Sequence, residues 1–146
     1  MARKPQQNRA KLTVEAIIQA SIQLIAEQGV GFVTTAKIAE RAGVSVGSLY
    51  EYFDNKEQII EAAVDHLAAE ATSAIQQMIP DMLALPPRDA VHELLIRMRV
   101  FVEQDNGRYL NFIRNALAYG QSLNLDLLNM ILRDIALQYL MQQEAV

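Results

Sequence analysis

The feature that most constrains the fold is the spacing of the apolar residues, which recur every three or four positions along most of the 146-residue chain. This spacing puts an apolar stripe on each of a series of helices. No long segment alternates between apolar and polar residues, as a half-buried strand would. Glycines and prolines fall between the periodic segments, where helices end and turns form. The chain is therefore predicted to be all-α.

Composition narrows the kind of protein. Apolar residues make up 51% and charged residues 21%, a globular balance. The chain has no cysteine, which excludes disulfides, thiolate catalysis and cysteine-based zinc sites. The basic start, MARKPQQNRAK, leads into no apolar segment of the kind a signal peptide has. Arg133 and Asp134 interrupt the best candidate for a membrane span. A cytoplasmic protein with no membrane partner is predicted.

The charge is distributed unevenly. Residues 1–50 hold three acidic side chains and six basic ones: Arg3, Lys4, Arg9, Lys11, Lys37 and Arg41. Residues 51–146 hold 14 acidic and seven basic side chains, so the total of −4 hides a basic first third and an acidic remainder. This pattern favours a DNA-facing module on a body that faces elsewhere. A chance distribution of surface charge is the alternative.

Capping residues mark the predicted helices. The first helix is predicted to start at Thr13 and end at Gly29, the second to start at Thr34 or Thr35 and end at Gly43, and the third to start at Ser45. Asn55 and Gln58 form a capping-box pattern that opens a long fourth helix, continuing towards Ile79 before Pro80. Three more helices are predicted at about 89–104, 108–119 and 125–143. Leu49 and Phe53 are predicted core residues.

The second helix, the glycine turn and the third helix have the pattern of a helix-turn-helix, whose second helix enters the DNA major groove. Small residues at the start of the third helix, Ser45, Gly47 and Ser48, would let the backbone approach DNA closely. A glycine inside a helix costs about 0.5–1 kcal/mol relative to alanine, so helix stability does not account for Gly47. Tyr50 and other long side chains nearby can reach phosphates or base edges.

The stretch TTAKIAERAGVSVGSLYEYFDNKEQII resembles the DNA-binding domain of the TetR/AcrR family of bacterial repressors, and the likeness covers about residues 10–65. The resemblance implies an N-terminal three-helix DNA-binding domain, residues 1–55. A long helix would join it to a helical regulatory domain, residues 56–146, that binds an effector and dimerises. A homodimer would then read a palindromic operator in double-stranded DNA.

The resemblance also assigns roles to individual residues. Thr35, Tyr52 and Lys56 match phosphate-contacting positions. The positions that match base-facing residues of the recognition helix are Val46, Gly47, Ser48 and Tyr50. Ala36 stands where some family members have a long basic side chain that reaches a base. Reading of the bases is therefore predicted to depend on the third helix, with Lys37 as a further candidate. Arg3, Lys4, Arg9 and Lys11 resemble the basic arms that some members lay along DNA.

The remaining chain predicts a binding protein and no enzyme. His66 and His92 lack partners at metal-binding spacing, and we recognise no nucleophile–base arrangement, so no catalytic residue, metal or cofactor is predicted. The inward positions of the second domain are Leu, Ile, Met, Phe and Tyr, which favours a small, largely apolar effector. The candidates to orient that effector are Arg97, Arg114, Asn115 and Tyr119.

The last segment, 125–141, is apolar on nearly every side and is predicted to self-associate. Members of the family usually close with two long C-terminal helices. This sequence is too short for both, and its last helix would be the first of that pair or the helix before it, so the second domain is predicted to be incomplete. Two functions remain open. One is a ligand-released repressor; the other is a truncated helical protein that pairs with a longer homologue and does not itself regulate DNA.

Overall fold

The computed structural model describes residues 3–144, and side chains from residue 6 to residue 142. Within this part the chain forms a short 3-10 helix, Val30–Phe32, and six α-helices: α1 Arg3–Gln28, α2 Thr35–Ala42, α3 Val46–Tyr52, α4 Lys56–Leu83, α5 Pro87–Ala118 and α6 Asp126–Glu144. The prediction of an all-α protein, with three N-terminal helices joined by a long helix to a helical body, is confirmed.

Helix α1 begins earlier than predicted. Thr13 is not an N-cap but lies inside the helix, where its Oγ1 donates a hydrogen bond to the carbonyl of Arg9 at 2.9 Å. The exposed Arg9 and Lys11 therefore lie on a helix and not on an extended arm. The side chains of Arg3 and Lys4, predicted for the same arm, lie outside the described residues.

Helix α4 begins where the sequence predicts, with Asn55 as its N-cap. The Asn55 Oδ1 accepts a hydrogen bond from the backbone N–H of Gln58 at 2.9 Å. The helix does not stop before Pro80, as predicted, but runs through it to Leu83. Pro80 has no N–H to bond the carbonyl four residues earlier, so the helix continues through it with one backbone hydrogen bond fewer.

Helix α5 is broken in the middle, as the two predicted segments 89–104 and 108–119 require. Asp105, Asn106 and Gly107 have φ angles of 54°, 61° and 75°, a left-handed turn inside an otherwise right-handed helix. Glycine adopts this conformation readily, whereas it is unfavourable for most other residues. We call residues 104–107 the α5 break.

The larger of two hydrophobic clusters joins α1, α2 and α3 to the first half of α4 and the second half of α5. Phe112 of α5 is fully buried in it, and Leu49 and Phe53 belong to it as predicted. The cluster crosses the predicted domain boundary at residue 55 because α4 contributes Ile59 and Ile60. The N-terminal helices are therefore packed against part of the body.

The smaller cluster lies at the other end of the molecule. It contains residues from the end of α4, the first half of α5 and one side of α6: Ile75, Met78, Met82, Ala90, Ile131 and Ile135. Ala90, Leu94 and Met98 of the first half of α5 thus pack in the smaller cluster and the second half packs in the larger one, while Phe101, just before the α5 break, also packs against the larger cluster.

Three hydrogen bonds tie the second half of α5 to α1 and α4. Asn115 Nδ2 donates to the carbonyl of Ile25 at 2.7 Å, and Tyr119 Oη donates to Glu57 Oε1 at 3.3 Å. Tyr109 Oη donates to Glu70 Oε2 at 2.9 Å, and burial together with this carboxylate raises the pKa of Tyr109 to about 12. The second half of α5 is thereby fixed to the N-terminal part of the structure.

Candidate nucleic-acid interface

Local rules explain why α2 and α3 start and stop where they do. Thr34 is the N-cap of α2, and its Oγ1 accepts a hydrogen bond from the N–H of Lys37 at 3.2 Å, which decides between Thr34 and Thr35. Gly43 ends α2 in the left-handed conformation, with φ 73° and ψ 28°. Ser45 caps α3 by accepting the N–H of Ser48 at 3.0 Å. The predicted helix-turn-helix boundaries are confirmed.

The two helices bury one side and expose the other. Ile38 and Leu49 are fully buried, whereas Val46 and Tyr50 on the outer side of α3 are 42% and 48% exposed. A Cβ built on the exposed Gly47 would have one near neighbour, Ser45 Oγ at 3.9 Å. The first turn of α3 therefore leaves its outer face open at Gly47, where no side chain projects from the helix.

A hydrogen bond between side chains joins α2 to α3 on this outer side. The hydroxyl groups of Thr35 and Tyr50 lie 2.9 Å apart, so the start of α2 and the middle of α3 present their hydroxyls together. The hydroxyls of Ser45 and Ser48 are similarly paired at 2.9 Å. Four of the predicted DNA-contacting side chains are thus held in two pairs. Tyr52, at the end of α3, is 38% exposed.

The two predicted lysines, Lys37 and Lys56, both bind the turn before α2. Lys37 Nζ donates to the carbonyl of Phe32 at 2.8 Å. Lys56 Nζ donates to the carbonyls of Val30 and Val33, at 3.2 and 3.1 Å. The Lys56 ammonium also lies 5.7 Å from the centre of the Tyr119 ring. In this structure both ammonium groups stabilise the turn; the contact of Lys56 with a DNA phosphate and the part of Lys37 in reading bases stay predictions.

Arg41 faces back towards α1. Its guanidinium forms a two-pronged ion pair with the carboxylate of Glu27, with N–O distances of 3.1 and 3.2 Å. This hydrogen bonding holds the pKa of Glu27 below its ordinary value and raises the pKa of Arg41. Part of the basic charge counted in the first 50 residues is therefore neutralised within the domain.

Sequence reasoning did not single out Phe32. This side chain is 74% exposed at the turn before α2, and its carbonyl accepts the bond from Lys37. Its neighbour Val33 lies between the same glycine and the same helix cap and is fully buried, so no local signal in the sequence marks Phe32 as the exposed one. The face made of α3, Thr35, Lys37 and Phe32 is the candidate interface.

Residues 17–63, which contain α2 and α3 entire, match the family model for bacterial regulatory proteins of the TetR family. Over these residues the chain is similar to the TetR family. The matched range begins inside α1 and ends in the first half of α4, so it spans the helix-turn-helix and the helices that support it.

Named relatives are similar to this chain as well. The class A tetracycline repressor protein from transposon 1721 of Escherichia coli is 40% identical over 60 residues, which is 41% of this chain and 28% of the repressor. Nucleoid occlusion factor SlmA of Aliivibrio fischeri is 26% identical over 129 residues, which is 86% of this chain and 63% of that protein. The chain therefore spans less than two thirds of the length of these relatives.

A solved structure shows the same fold. It is a TetR family transcription regulator from Marinobacter aquaeolei VT8, with a TM-score of 0.56 and 23% sequence identity. The superposition covers 75% of this chain and 58% of the other. The likeness therefore extends beyond the N-terminal domain into the helical body.

Neither a helix that could cross a membrane nor a cluster that could hold a metal ion is present among the described residues. None of the helices between residues 3 and 144 is both long enough and apolar enough to cross a membrane. Within the same residues no group of three or more His, Cys, Asp or Glu is arranged to hold a metal ion.

Replacing Ser45 with alanine is expected to lower the free energy of unfolding by about 1 kcal/mol, because the N–H of Ser48 loses its cap. Urea denaturation of the two proteins measures this difference. Ser73, exposed on α4, offers a matched control, and Ser73→Ala is expected to change stability by less than about 0.5 kcal/mol. Equal stabilities of the Ser45→Ala variant and the parent would show that the cap contributes nothing.

Proposed function

We propose that this protein is a cytoplasmic DNA-binding transcriptional regulator that acts as a ligand-released repressor. The observation that carries the proposal is the open outer face of α3, where the first turn has no large side chain and Tyr50 is held by Thr35. A helix presented in this way can enter the major groove with its N-terminal residues facing the base edges. The family match over residues 17–63 supports this role for the unit.

An exposed stripe on α6 supports a homodimer. Leu127 and Met130 are three residues apart and Leu137 and Met141 are four apart; the exposed Asp134 lies between the two pairs, and the four apolar side chains are between 48% and 69% exposed. Apolar side chains at such spacings pack against another helix. Exposed apolar side chains grouped on one side of a helix mark a partner site. A second copy related by a two-fold axis would cover the stripe and place two recognition helices on one palindromic operator.

A cavity in the body supports an effector. It has a volume of about 380 Å³, is lined mainly by apolar side chains of α4, α5 and the start of α6, and suits a small molecule. The side chains predicted to orient the effector are not in its wall. Asn115 and Tyr119 bind Ile25 and Glu57 instead, and Arg97 pairs with Glu93 on the surface. We propose that a ligand bound here releases the protein from DNA.

Selection from a random pool of duplex DNA tests the proposed function. The expected product is a palindrome whose half-sites are centred about 34–36 Å apart, or a multiple of that, on one face of the duplex. Its affinity is expected to fall steeply as salt is added, since phosphate contacts release counterions. Selection of no sequence would overturn the DNA-binding proposal. If the protein then co-purified with a longer homologue, the pairing function would be the better explanation.

A charge placed on the α6 stripe tests the homodimer. Leu137→Glu is expected to raise the dimer dissociation constant by at least about tenfold. In each copy it removes a leucine that the proposed dimer would bury and puts a charge in its place. Gln138→Glu, which adds the same charge at the adjacent exposed position, is the matched control and is expected to have a smaller effect. Sedimentation equilibrium measures both. A dimer unaffected by Leu137→Glu would exclude the stripe as the interface.

A further inference from the structure

The cavity in the body is built from both halves of α5 and from the middle of α4. Met98 and Phe101 lie before the α5 break and Ile113 lies after it, while Leu67 and Ala68 come from α4. The segment 123–128, which leads into α6, closes the remaining side. Such a wall favours an apolar ligand body, since it offers hydrocarbon contacts on several sides.

The charged groups in the wall are all of one sign. Among the described residues that line the cavity, the charged ones are Asp65 and Asp126, and no lysine, arginine or histidine is present. Both aspartates line the cavity and are exposed to solvent. Asp126 stands in the first turn of α6, where the helix dipole favours a negative charge. Asp65 lies inside α4, beyond its first turn, so the helix dipole does not explain the presence of a negative charge there.

The surrounding body reinforces this sign. Residues 51–146 carry 14 acidic and seven basic side chains. A cleft with walls of low dielectric constant focuses the field of such charges, which concentrates ions of the opposite sign and repels ions of the same sign. An anionic ligand would have to approach two carboxylates with no cation in the wall to bind it.

We propose that the effector site takes a lipophilic organic cation, with its apolar body in the cavity and its positive group beside Asp65 and Asp126. This inference rests on the proposed function for its regulatory meaning, but binding to the cavity can be measured without DNA. A neutral ligand of the same shape would gain the hydrocarbon contacts alone. An anionic one would lose part of that gain to repulsion by the carboxylates.

Three probes that share a decyl chain test the sign of the charge: decyltrimethylammonium, decanol and decanoate, each kept below the concentration at which it forms micelles. Isothermal titration calorimetry is expected to show the ammonium binding about tenfold more tightly than the alcohol, with decanoate weakest. The advantage of the ammonium over the alcohol is expected to shrink as salt is added. Equal affinities for ammonium and alcohol, or no binding by any probe, would overturn the proposal.

Variants locate the effect. Asp65→Asn combined with Asp126→Asn is expected to remove the tenfold advantage of the ammonium and leave decanol unchanged, and Asp65→Asn alone to remove part of it. Asp134→Asn, an exposed aspartate of α6 outside the cavity wall, is the matched control and is expected to preserve the advantage. Thermal melts confirm that each variant is folded. Retention of the full advantage in the double variant would overturn the assigned carboxylates.

A filled cavity gives a separate readout of position. Ala68→Phe puts a large side chain into the wall and is expected to weaken the ammonium and the alcohol alike by at least about tenfold. Unchanged ammonium binding by a folded Ala68→Phe variant would place the probe elsewhere and overturn the proposal. DNA binding without any probe, measured on the same preparations, distinguishes failure of the cation site from failure of the proposed regulator.

Discussion

Replacing Gly47 with leucine is expected to weaken binding to the selected operator by at least about 100-fold while the protein stays folded. The side chain would project from the first turn of α3, which on the proposed function approaches the bases. A Cβ at this position meets no obstacle within the protein, since its near neighbour is Ser45 Oγ at 3.9 Å. Leucine is also a better helix former than glycine, so stability should rise slightly.

Gly47→Ala separates the two effects. It is expected to raise the free energy of unfolding by about 0.5–1 kcal/mol, as leucine should, but to add only one methyl group to the face that approaches DNA. Fluorescence anisotropy with the operator and urea denaturation measure binding and stability on the same samples. Unchanged operator affinity in a folded Gly47→Leu protein would exclude the start of α3 from the interface.

Replacing Phe112 with alanine is expected to lower the free energy of unfolding by about 3–5 kcal/mol. Phe112 has no exposed surface and lies in the larger cluster, where the second half of α5 packs against α1 and α4. The change removes a ring from a close-packed site and leaves a cavity, and both terms destabilise. A loss of this size is a large fraction of the stability of a domain this small.

Phe32→Ala is the matched control, because it removes the same ring from a position that is 74% exposed. Its expected effect on stability is within about 0.5 kcal/mol. Denaturation in urea gives both values. A Phe112→Ala protein as stable as the Phe32→Ala protein would mean that the second half of α5 is not held against α1 and α4 in solution.

The parts of the fold that could be predicted from the sequence follow local rules. Helix starts are set by side chains that cap a backbone N–H three residues later, at Thr34, Ser45 and Asn55, and α2 ends at the left-handed Gly43. Because each of these interactions joins residues close together in the sequence, the helix ends can be predicted from short segments. The same rules explain why the α5 break could be placed near Gly107. The helix-turn-helix is predictable for this reason.

The errors arise where one residue type has two common roles. Thr13 resembles a cap, but a threonine inside a helix can donate to the carbonyl four residues earlier, as Thr13 does to Arg9. Pro80 resembles a stop, yet the helix continues through it to Leu83 with one backbone hydrogen bond fewer. Local sequence does not distinguish these cases, because the continuation of the helix depends on what it packs against.

The composition of the candidate sites is a tertiary property. Asp65 and Asp126 are 61 positions apart in the sequence and meet one cavity only through the packing of α4 against α6. The side chain of Asn115 donates a hydrogen bond to the carbonyl of Ile25, 90 positions away in the sequence, and no rule based on residue spacing predicts that contact. Periodicity could predict that the body is apolar inside, but not which polar groups border its cavity.

The α5 break has a mechanical consequence. A continuous helix behaves as a stiff rod, whereas three left-handed residues in succession make a joint at which the two halves can change their mutual angle. Met98 and Phe101 in the cavity wall lie before this joint, and the Phe101 ring contacts Tyr109 after it, with ring centroids 5.4 Å apart. Helix α4 has no such joint between the cavity wall and Lys56, where it meets the turn before α2. Of the two helices that join the cavity to the N-terminal domain, α4 therefore does so through continuous backbone hydrogen bonding, and α5 through the contact between these two rings.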